Sequence, residues 1–203
     1  MKNKTLIIFD CFGVITSEIA PPWFLSKYPE EEAKALKNKY FGKADRGEKT
    51  ISQLIDELSV GLNIKRDTII KEWTEIFSVN YELIDYIRML KKDYYIALLS
   101  NAPEGLVEAI LEKYNLYDLF DKAFISSAYK MAKPDKEFYM LCVNSFDKMD
   151  KMYMIDDNDK NLENLDLLGI KAIKYISNDE LFKALKEENI WKTHIWDLMK
   201  NWD

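Results

Sequence analysis

Residues 5–16 read TLIIFDCFGVIT, and this stretch decides the fold. Its first five residues are apolar or β-branched, a composition typical of a strand that is buried on both faces of a parallel sheet. We expect the strand to end at Asp10, because Gly13 permits a sharp turn directly after it. A carboxylate held in such a turn is ionised at neutral pH and is a candidate nucleophile.

The rest of the chain repeats this pattern. Further apolar runs follow at residues 94–99, 123–125, 152–155 and 170–175. Between them, apolar residues recur at helical spacing, as in residues 106–114 and 138–146. Strands that alternate with helices in this way predict an α/β fold with a doubly wound parallel sheet.

One region lacks any strand signal. From about residue 17 to residue 81 the apolar residues keep helical spacing throughout. We therefore predict a small helical domain at residues 17–83, inserted into a core domain formed by residues 1–16 and 84–203. Within it, the mixed charges of residues 30–39 predict a solvent-exposed helix face without a function.

Composition excludes several classes of function. The 203 residues carry a net charge of −6 and only three arginines, which argues against nucleic acid as a partner. No stretch approaches the roughly 18 apolar residues that span a bilayer. Cys11 and Cys142 form no disulfide framework, and His194, the only histidine, excludes a histidine-based triad. We expect a cytoplasmic protein without a membrane partner, and its oligomeric state stays open.

Polar side chains follow three of the predicted strands. Asp10 ends the first, Ser100 and Asn101 the second, and Asp156 with Asp157 the strand at residues 152–155. Ligands of open α/β sheets bind at this edge, where the carboxyl ends of the strands meet. The acidic pair suits Mg²⁺, which takes one or two carboxylates and accepts phosphate oxygens.

Other polar groups favour a phosphate at the same edge. Ser100 offers a hydroxyl, and we expect residues 101–104 to begin a helix whose free N–H groups attract an anion. Lys133 adds a positive charge just before a second helix, which Pro134 would open. The sequence thus predicts a phosphate site with donors on three sides.

The order of these segments resembles the haloacid dehalogenase (HAD) superfamily. The matching residues are Asp10 to Val14, Ser100 with Asn101, Lys133 to Asp135, and Ile155 to Asn158 with Asn161. The resemblance implies a helical cap over a doubly wound core. It also implies that Asp10 is the nucleophile, that Ser100 and Lys133 hold the phosphate, and that Asp156 and Asp157 bind Mg²⁺.

Phe12 departs from the common phosphatase pattern. Most phosphatases of the superfamily carry a second Asp there, which protonates the leaving oxygen, whereas its metal contact runs through the backbone carbonyl and is compatible with Phe12. Three hypotheses follow from the resemblance. The first is a phosphatase for a small phosphorylated metabolite, such as a sugar phosphate, that acts on a substrate with a good leaving group or borrows an acid such as Glu18 or a residue of the cap. The second is a 2-haloacid dehalogenase, and the third is a catalytically weak binding protein.

Three further expectations concern individual residues. Arg46, in a glycine-containing loop at residues 43–49, is a candidate contact for an anionic leaving group. Cys11 is expected to point into the core, and Asn161 to orient the acidic loop. Trp191, Trp196 and Trp202 predict a terminal helix whose aromatic face packs on the core.

Overall fold

The computed structural model describes residues 2–190 and contains a five-stranded parallel sheet. The strands are β1 (Thr5–Phe9), β2 (Tyr95–Ser100), β3 (Lys122–Ile125), β4 (Lys151–Asp156) and β5 (Lys171–Lys174). They lie in the order β3-β2-β1-β4-β5, and all four neighbouring pairs are parallel. Each strand lies within two residues of an apolar run in the sequence, so the predicted sheet is confirmed.

Helices fill the intervals between the strands. They are α1 (Ala20–Leu25), α2 (Glu30–Ala44), α3 (Ile51–Leu62), α4 (Arg66–Ile76), α5 (Tyr81–Leu90), α6 (Leu106–Lys113), α7 (Ser126–Tyr129), α8 (Lys136–Asn144), α9 (Asp159–Leu162) and α10 (Asn178–Glu187). Short 3₁₀ turns lie at Tyr117–Leu119 and Leu165–Leu168.

The sheet is covered on both faces. Because successive side chains of a strand point to opposite faces, Ile7 and Phe9 pack in one cluster with α5, α6 and α10. Leu6 and Ile8 pack in a second cluster with α8. The chain runs outward from β1 to β3 on one side and then continues with β4 and β5 on the other, so the fold is doubly wound and its switch point lies at β1.

Helices α1 to α4 form a third hydrophobic cluster, separate from the two that cover the sheet. Aromatic rings dominate it: Trp23 packs edge-on against Phe24 and Trp73, with ring centroids 4.9 Å and 5.8 Å apart. The helical content of this region agrees with the sequence pattern. The division into domains at residues 17 and 83 stays a prediction.

Two chain segments connect this helical region to the sheet, and they run side by side in opposite directions. Thr16 and Val79 form an antiparallel bridge. The Ser17 N–H donates to the Ser78 carbonyl at 2.9 Å, and the Ser78 N–H donates to Ser17 Oγ at 2.9 Å. Residue 18 therefore leaves the core from a fixed position.

The structure corrects the expected start of one helix and leaves another prediction outside its range. Helix α6 begins at Leu106, not at residues 101–104, because Gly105 adopts a left-handed φ of 87° and the Glu108 carboxylate accepts its N–H at 3.0 Å. The free N–H groups of this helix therefore do not adjoin Ser100. The predicted helix with Trp191, Trp196 and Trp202, and also His194, lie outside the described residues.

Within residues 2–190, every helix is too short or too polar to cross a lipid bilayer.

The turn after β1 brings the first and fourth polar loops together at Gly13. This residue has a φ of 77°, which side chains other than glycine rarely adopt. A Cβ atom on Gly13 would lie 2.2 Å from Asp157 Oδ2. The absence of a side chain at Gly13 therefore lets the Asp157 carboxylate approach the turn that follows Asp10.

Replacing a fully buried strand residue tests the sheet core. Leu98, in β2, is 0% exposed, so Leu98→Ala is expected to lower the free energy of unfolding by about 2–5 kcal/mol through lost burial and a residual cavity. Leu167 is 78% exposed, and the matched Leu167→Ala variant should change stability by less than about 0.5 kcal/mol. Urea unfolding measures both. Equal losses would contradict the assigned burial.

A pair of glycine substitutions tests the close approach at Gly13. Gly13→Ala should destabilise the protein by about 1–3 kcal/mol, because its φ is strained and the added methyl group meets Asp157. Gly42 lies in α2 with no atom within 4 Å of a built Cβ, so Gly42→Ala is expected to stabilise by about 0.5–1 kcal/mol. Opposite signs in urea unfolding support the described turn, and a neutral Gly13→Ala would refute it.

Candidate active site

A buried lysine lies at the centre of the polar edge of the sheet. Lys133 Nζ lies 2.8 Å from Asp10 Oδ2 and 2.6 Å from Asp156 Oδ2. Asp10 follows β1, Asp156 ends the neighbouring strand β4, and Lys133 comes from the loop between α7 and α8. The Lys133 and Asp156 side chains are fully buried. Three of the predicted site residues are thus in direct contact.

Asp10 is held by its own turn as well as by Lys133. The N–H of Cys11 donates to Asp10 Oδ1 at 2.7 Å. Burial raises the pKa of Asp10 well above its ordinary value, the Lys133 ammonium opposes this shift, and the Asp156 charge adds to it. A further positive charge beside Asp10 would therefore favour its ionised form.

Asp156 is the most extensively hydrogen-bonded carboxylate of the site. Its Oδ1 accepts the Asn158 N–H at 2.8 Å, and the Asn161 side-chain amide lies 3.1 Å and 3.0 Å from its two oxygens. The Asn161 carbonyl in turn accepts the Tyr139 hydroxyl at 2.7 Å. Asn161 therefore fixes the orientation of Asp156, the role that the sequence suggested for it.

Asp157 contrasts with its neighbour. It is half-buried, and its carboxylate forms no hydrogen bond or ion pair with the other described residues, although its carbonyl accepts a bond from Lys174. Burial raises the pKa of Asp157, and the Asp156 charge adds to that shift. One oxygen each from Asp10, Asp156 and Asp157 lie within 4.8 Å of one another. These three carboxylates are well placed to share a cation.

The charges of this cluster do not balance. Burial by itself would lower the pKa of the Lys133 ammonium, but the Asp10 and Asp156 carboxylates raise it above the usual value, so Lys133 stays charged. With all three carboxylates ionised, the single ammonium would leave two negative charges uncompensated in a largely buried space, and burial works against the ionised forms of Asp10 and Asp157. A bound divalent cation would neutralise the two charges.

Asn101 supports the lysine instead of facing the cavity with a free amide. Its Nδ2 donates to the Lys133 carbonyl at 2.8 Å, and its Oδ1 accepts the Lys133 N–H at 2.8 Å. Asn101 was predicted to bind substrate. In the structure it lines the cavity while its side chain fixes the Lys133 backbone.

Ser100, the last residue of β2, has a fully buried side chain. Its Oγ forms no hydrogen bond with any residue in the described part of the chain. A buried hydroxyl without a partner costs free energy, and a ligand oxygen would satisfy it. The nearby Ser126 Oγ, in contrast, accepts the Ala102 N–H at 3.0 Å and donates to the Asp45 carbonyl.

A cavity of about 320 Å³ opens above these residues, between the sheet edge and the helical region. Asp10, Phe12, Lys133 and Asp157 line its floor. Its remaining lining includes four charged residues of the helical region: Glu18, Lys37, Asp45 and Arg46. Lys37 corrects the expectation that residues 30–39 only face solvent, because it is half-buried here.

One signal for Lys37 was present in the sequence. It lies four residues from both Ala33 and Phe41, which are buried on the inner face of α2. Side chains at this spacing share a helix face. A lysine within the apolar stripe therefore indicated a charge turned inward.

Arg46 lies at the cavity but is already paired. Its Nη1 and Nη2 atoms lie 2.6 Å and 3.1 Å from the two carboxylate oxygens of Asp135, and this hydrogen bonding lowers the pKa of Asp135. Asp135 also accepts the Ala132 N–H at 3.3 Å. Arg46 thus joins the helical region to the loop that carries Lys133, and its contact with an anionic leaving group stays a prediction.

Cys11 is buried beside the nucleophile candidate, as expected. It is 1% exposed, and burial raises the pKa of its thiol to about 12, with the charge of Asp10 adding to the shift. The thiol is therefore protonated at neutral pH and is a poor nucleophile.

Known proteins resemble this chain over most of its length. The model of the haloacid dehalogenase-like hydrolase family matches residues 4–169. No curated protein gives a significant match. The HAD family enzyme bt-2542 of Bacteroides thetaiotaomicron superposes with a TM-score of 0.71 at 21% identity, covering 88% of this chain and 96% of that one. The same enzyme has also been solved with magnesium and inorganic phosphate.

Two other solved structures share the fold. A predicted HAD-like family hydrolase of Porphyromonas gingivalis superposes with a TM-score of 0.73 at 19% identity and covers 93% of this chain and 98% of that one. L-2-haloacid dehalogenase of Xanthobacter autotrophicus, with chloropropionic acid covalently bound, gives a TM-score of 0.59 at 14% identity and covers 95% and 85%. The family match over residues 4–169 decides the assignment: this chain belongs to the haloacid dehalogenase-like hydrolases.

Proposed function

We propose that this protein is a Mg²⁺-dependent phosphatase that hydrolyses a small phosphomonoester, such as a sugar phosphate, through an aspartyl-phosphate at Asp10. The observation that carries the proposal is the cluster of three carboxylates, two of which pair with the buried Lys133 ammonium while Asp157 stays unpaired. Such a cluster suits a divalent cation and a phosphate together, because each compensates the charge of the other.

The residues present fit magnesium. Carboxylate oxygens are the ligands that this hard cation prefers, and Asp157 offers a carboxylate that no described side chain engages. Asp10, Asp156, Asp157 and the Phe12 carbonyl would hold the ion. When bound, magnesium offsets the repulsion between the Asp10 carboxylate and the anionic phosphoryl group.

The protein residues would act in the following way. Asp10 attacks phosphorus with one carboxylate oxygen, and the bond between phosphorus and the leaving oxygen breaks. Lys133 donates to phosphoryl oxygens, and the Ser100 hydroxyl supplies another donor. Asn101 keeps the Lys133 backbone in place through its two hydrogen bonds. Water then hydrolyses the aspartyl-phosphate and releases phosphate.

The neighbours add limited support. The bt-2542 enzyme was solved with magnesium and inorganic phosphate, which is consistent with phosphate chemistry on this fold. Because the identity is 20%, that structure supports the fold and leaves the substrate of this chain as a proposal. The dehalogenase neighbour supports a second candidate function, dehalogenation of a 2-haloacid. A catalytically weak binding protein is the third candidate.

The acidic pair argues against dehalogenation as the main activity. Displacement of halide by a carboxylate produces an ester. Because no dianionic phosphoryl group takes part, this reaction needs no cation. The excess negative charge of Asp10, Asp156 and Asp157 would instead repel a carboxylate-bearing haloacid. Phosphate with magnesium explains the whole cluster, and a haloacid explains only Asp10.

Removal of the nucleophile tests the proposed function. The wild type should hydrolyse p-nitrophenyl phosphate and acetyl phosphate with Mg²⁺, and Asp10→Asn should lower kcat on the order of 10⁴-fold or more. Asp159→Asn is the matched control, because this side chain is 82% exposed and outside the cavity. Phosphate release with Mg²⁺, and with EDTA in its place, measures both.

Three outcomes separate the candidate functions. Turnover that EDTA abolishes and Asp10→Asn removes supports the phosphatase. Chloride release from 2-chloropropionate without metal would contradict it in favour of a dehalogenase. No turnover on any of these substrates would contradict it in favour of a binding protein.

A further inference from the structure

Hydrolysis of an alkyl phosphate needs a proton donor. The leaving group is an alkoxide, which departs slowly unless a side chain protonates its oxygen as the bond to phosphorus breaks. Phe12 lines the cavity next to the nucleophile, and its side chain transfers no proton. Another group would have to do so.

Four carboxyl groups line the cavity within the described part of the chain: Asp10, Glu18, Asp45 and Asp157. Asp10 is the proposed nucleophile, and Asp157 the proposed metal ligand. Lys133 bonds to two carboxylates and is held in its charged form. Glu18 and Asp45 are therefore the remaining carboxyl groups that line the cavity.

The position of Glu18 favours it over Asp45. It directly follows Ser17, which is hydrogen-bonded to Ser78. The Glu18 carboxyl forms no hydrogen bond or ion pair with the other described residues. It lines the same cavity as Asp10, Lys133 and Asp157, and the charges of Asp157, Asp156 and Lys133 act on its pKa. Among those three residues, Asp45 interacts only with Lys133.

The surroundings also keep a proton on Glu18. Burial raises its pKa to about 7, and the Asp157 charge adds to the shift, while Lys37 and Lys133 oppose it. A carboxyl with a pKa near the working pH exists in both forms, as an acid that later serves as a base requires. Burial likewise raises the pKa of Asp45, but only to about 6.

We infer that Glu18 is the general acid and base of the proposed phosphatase, and that its substrates are phosphomonoesters of alcohols. This inference rests on the proposed function. As Asp10 bonds to phosphorus, the bond to the leaving oxygen breaks and the Glu18 proton passes to that oxygen, which leaves as an alcohol. The Glu18 carboxylate then takes a proton from water as that water attacks phosphorus, which releases phosphate and restores Asp10 and protonated Glu18.

Leaving groups of different acidity test this assignment. The readout is kcat/KM, which reports the steps up to loss of the leaving group, for p-nitrophenyl phosphate and for glycerol 2-phosphate with Mg²⁺. Nitrophenolate leaves without a proton and the glycerol alkoxide does not. The kcat/KM for p-nitrophenyl phosphate divided by that for glycerol 2-phosphate should therefore rise about 10²- to 10⁴-fold in Glu18→Gln. Asp45→Asn is the matched control and should keep the wild-type ratio.

Both substrates are measured on the same protein sample, so a smaller folded fraction would lower both kcat/KM values equally and would not raise their ratio. An equal loss on both substrates in Glu18→Gln, an unchanged ratio, or a raised ratio in Asp45→Asn alone would overturn the assignment of Glu18. Absence of Mg²⁺-dependent turnover of either substrate by the wild type would instead overturn the proposed function, and the inference with it.

Discussion

The ion pairs of Lys133 with Asp10 and Asp156 are the interaction on which the site depends. An ammonium this deeply buried is tolerated only beside carboxylates, and each carboxylate needs the ammonium in return. The parallel sheet places Asp10 and Asp156 at the ends of the adjacent strands β1 and β4, and the loop between α7 and α8 brings Lys133 to them. Asp157 adds a further negative charge at their edge. The proposed cation would neutralise the negative charge that remains and would in turn attract the proposed phosphate.

The helical region completes what the sheet edge lacks. The core supplies a nucleophile candidate and buried donors, whereas Glu18, Lys37 and Asp45 bring charge to the opposite side of the cavity. The Arg46–Asp135 pair ties that side to the loop of Lys133, so the two halves of the cavity are joined by a bidentate contact. The floor thus supplies the proposed nucleophile and the opposite side the proposed general acid, so the proposed reaction depends on both parts of the chain.

Periodicity and strand-end residues made the sheet and the floor of the site predictable. Apolar runs located each strand of residues 2–190, and parallel topology placed Asp10, Ser100 and Asp156 at the same edge of the sheet. The start of α6 was wrong by several residues, since Gly105 adopts a left-handed conformation that sequence spacing does not reveal. The pairing of Arg46 was not foreseen, because it depends on tertiary packing between the helical region and the core.

The covalent intermediate is the central claim, and trapping it is the most direct measurement. The protein would be mixed with radiolabelled acetyl phosphate and Mg²⁺, quenched in acid within milliseconds, and digested for peptide mapping. We expect an acid-stable, hydroxylamine-sensitive label on the peptide that contains Asp10, lost when EDTA replaces Mg²⁺. Label on another residue, or none while phosphate is released, would contradict this claim.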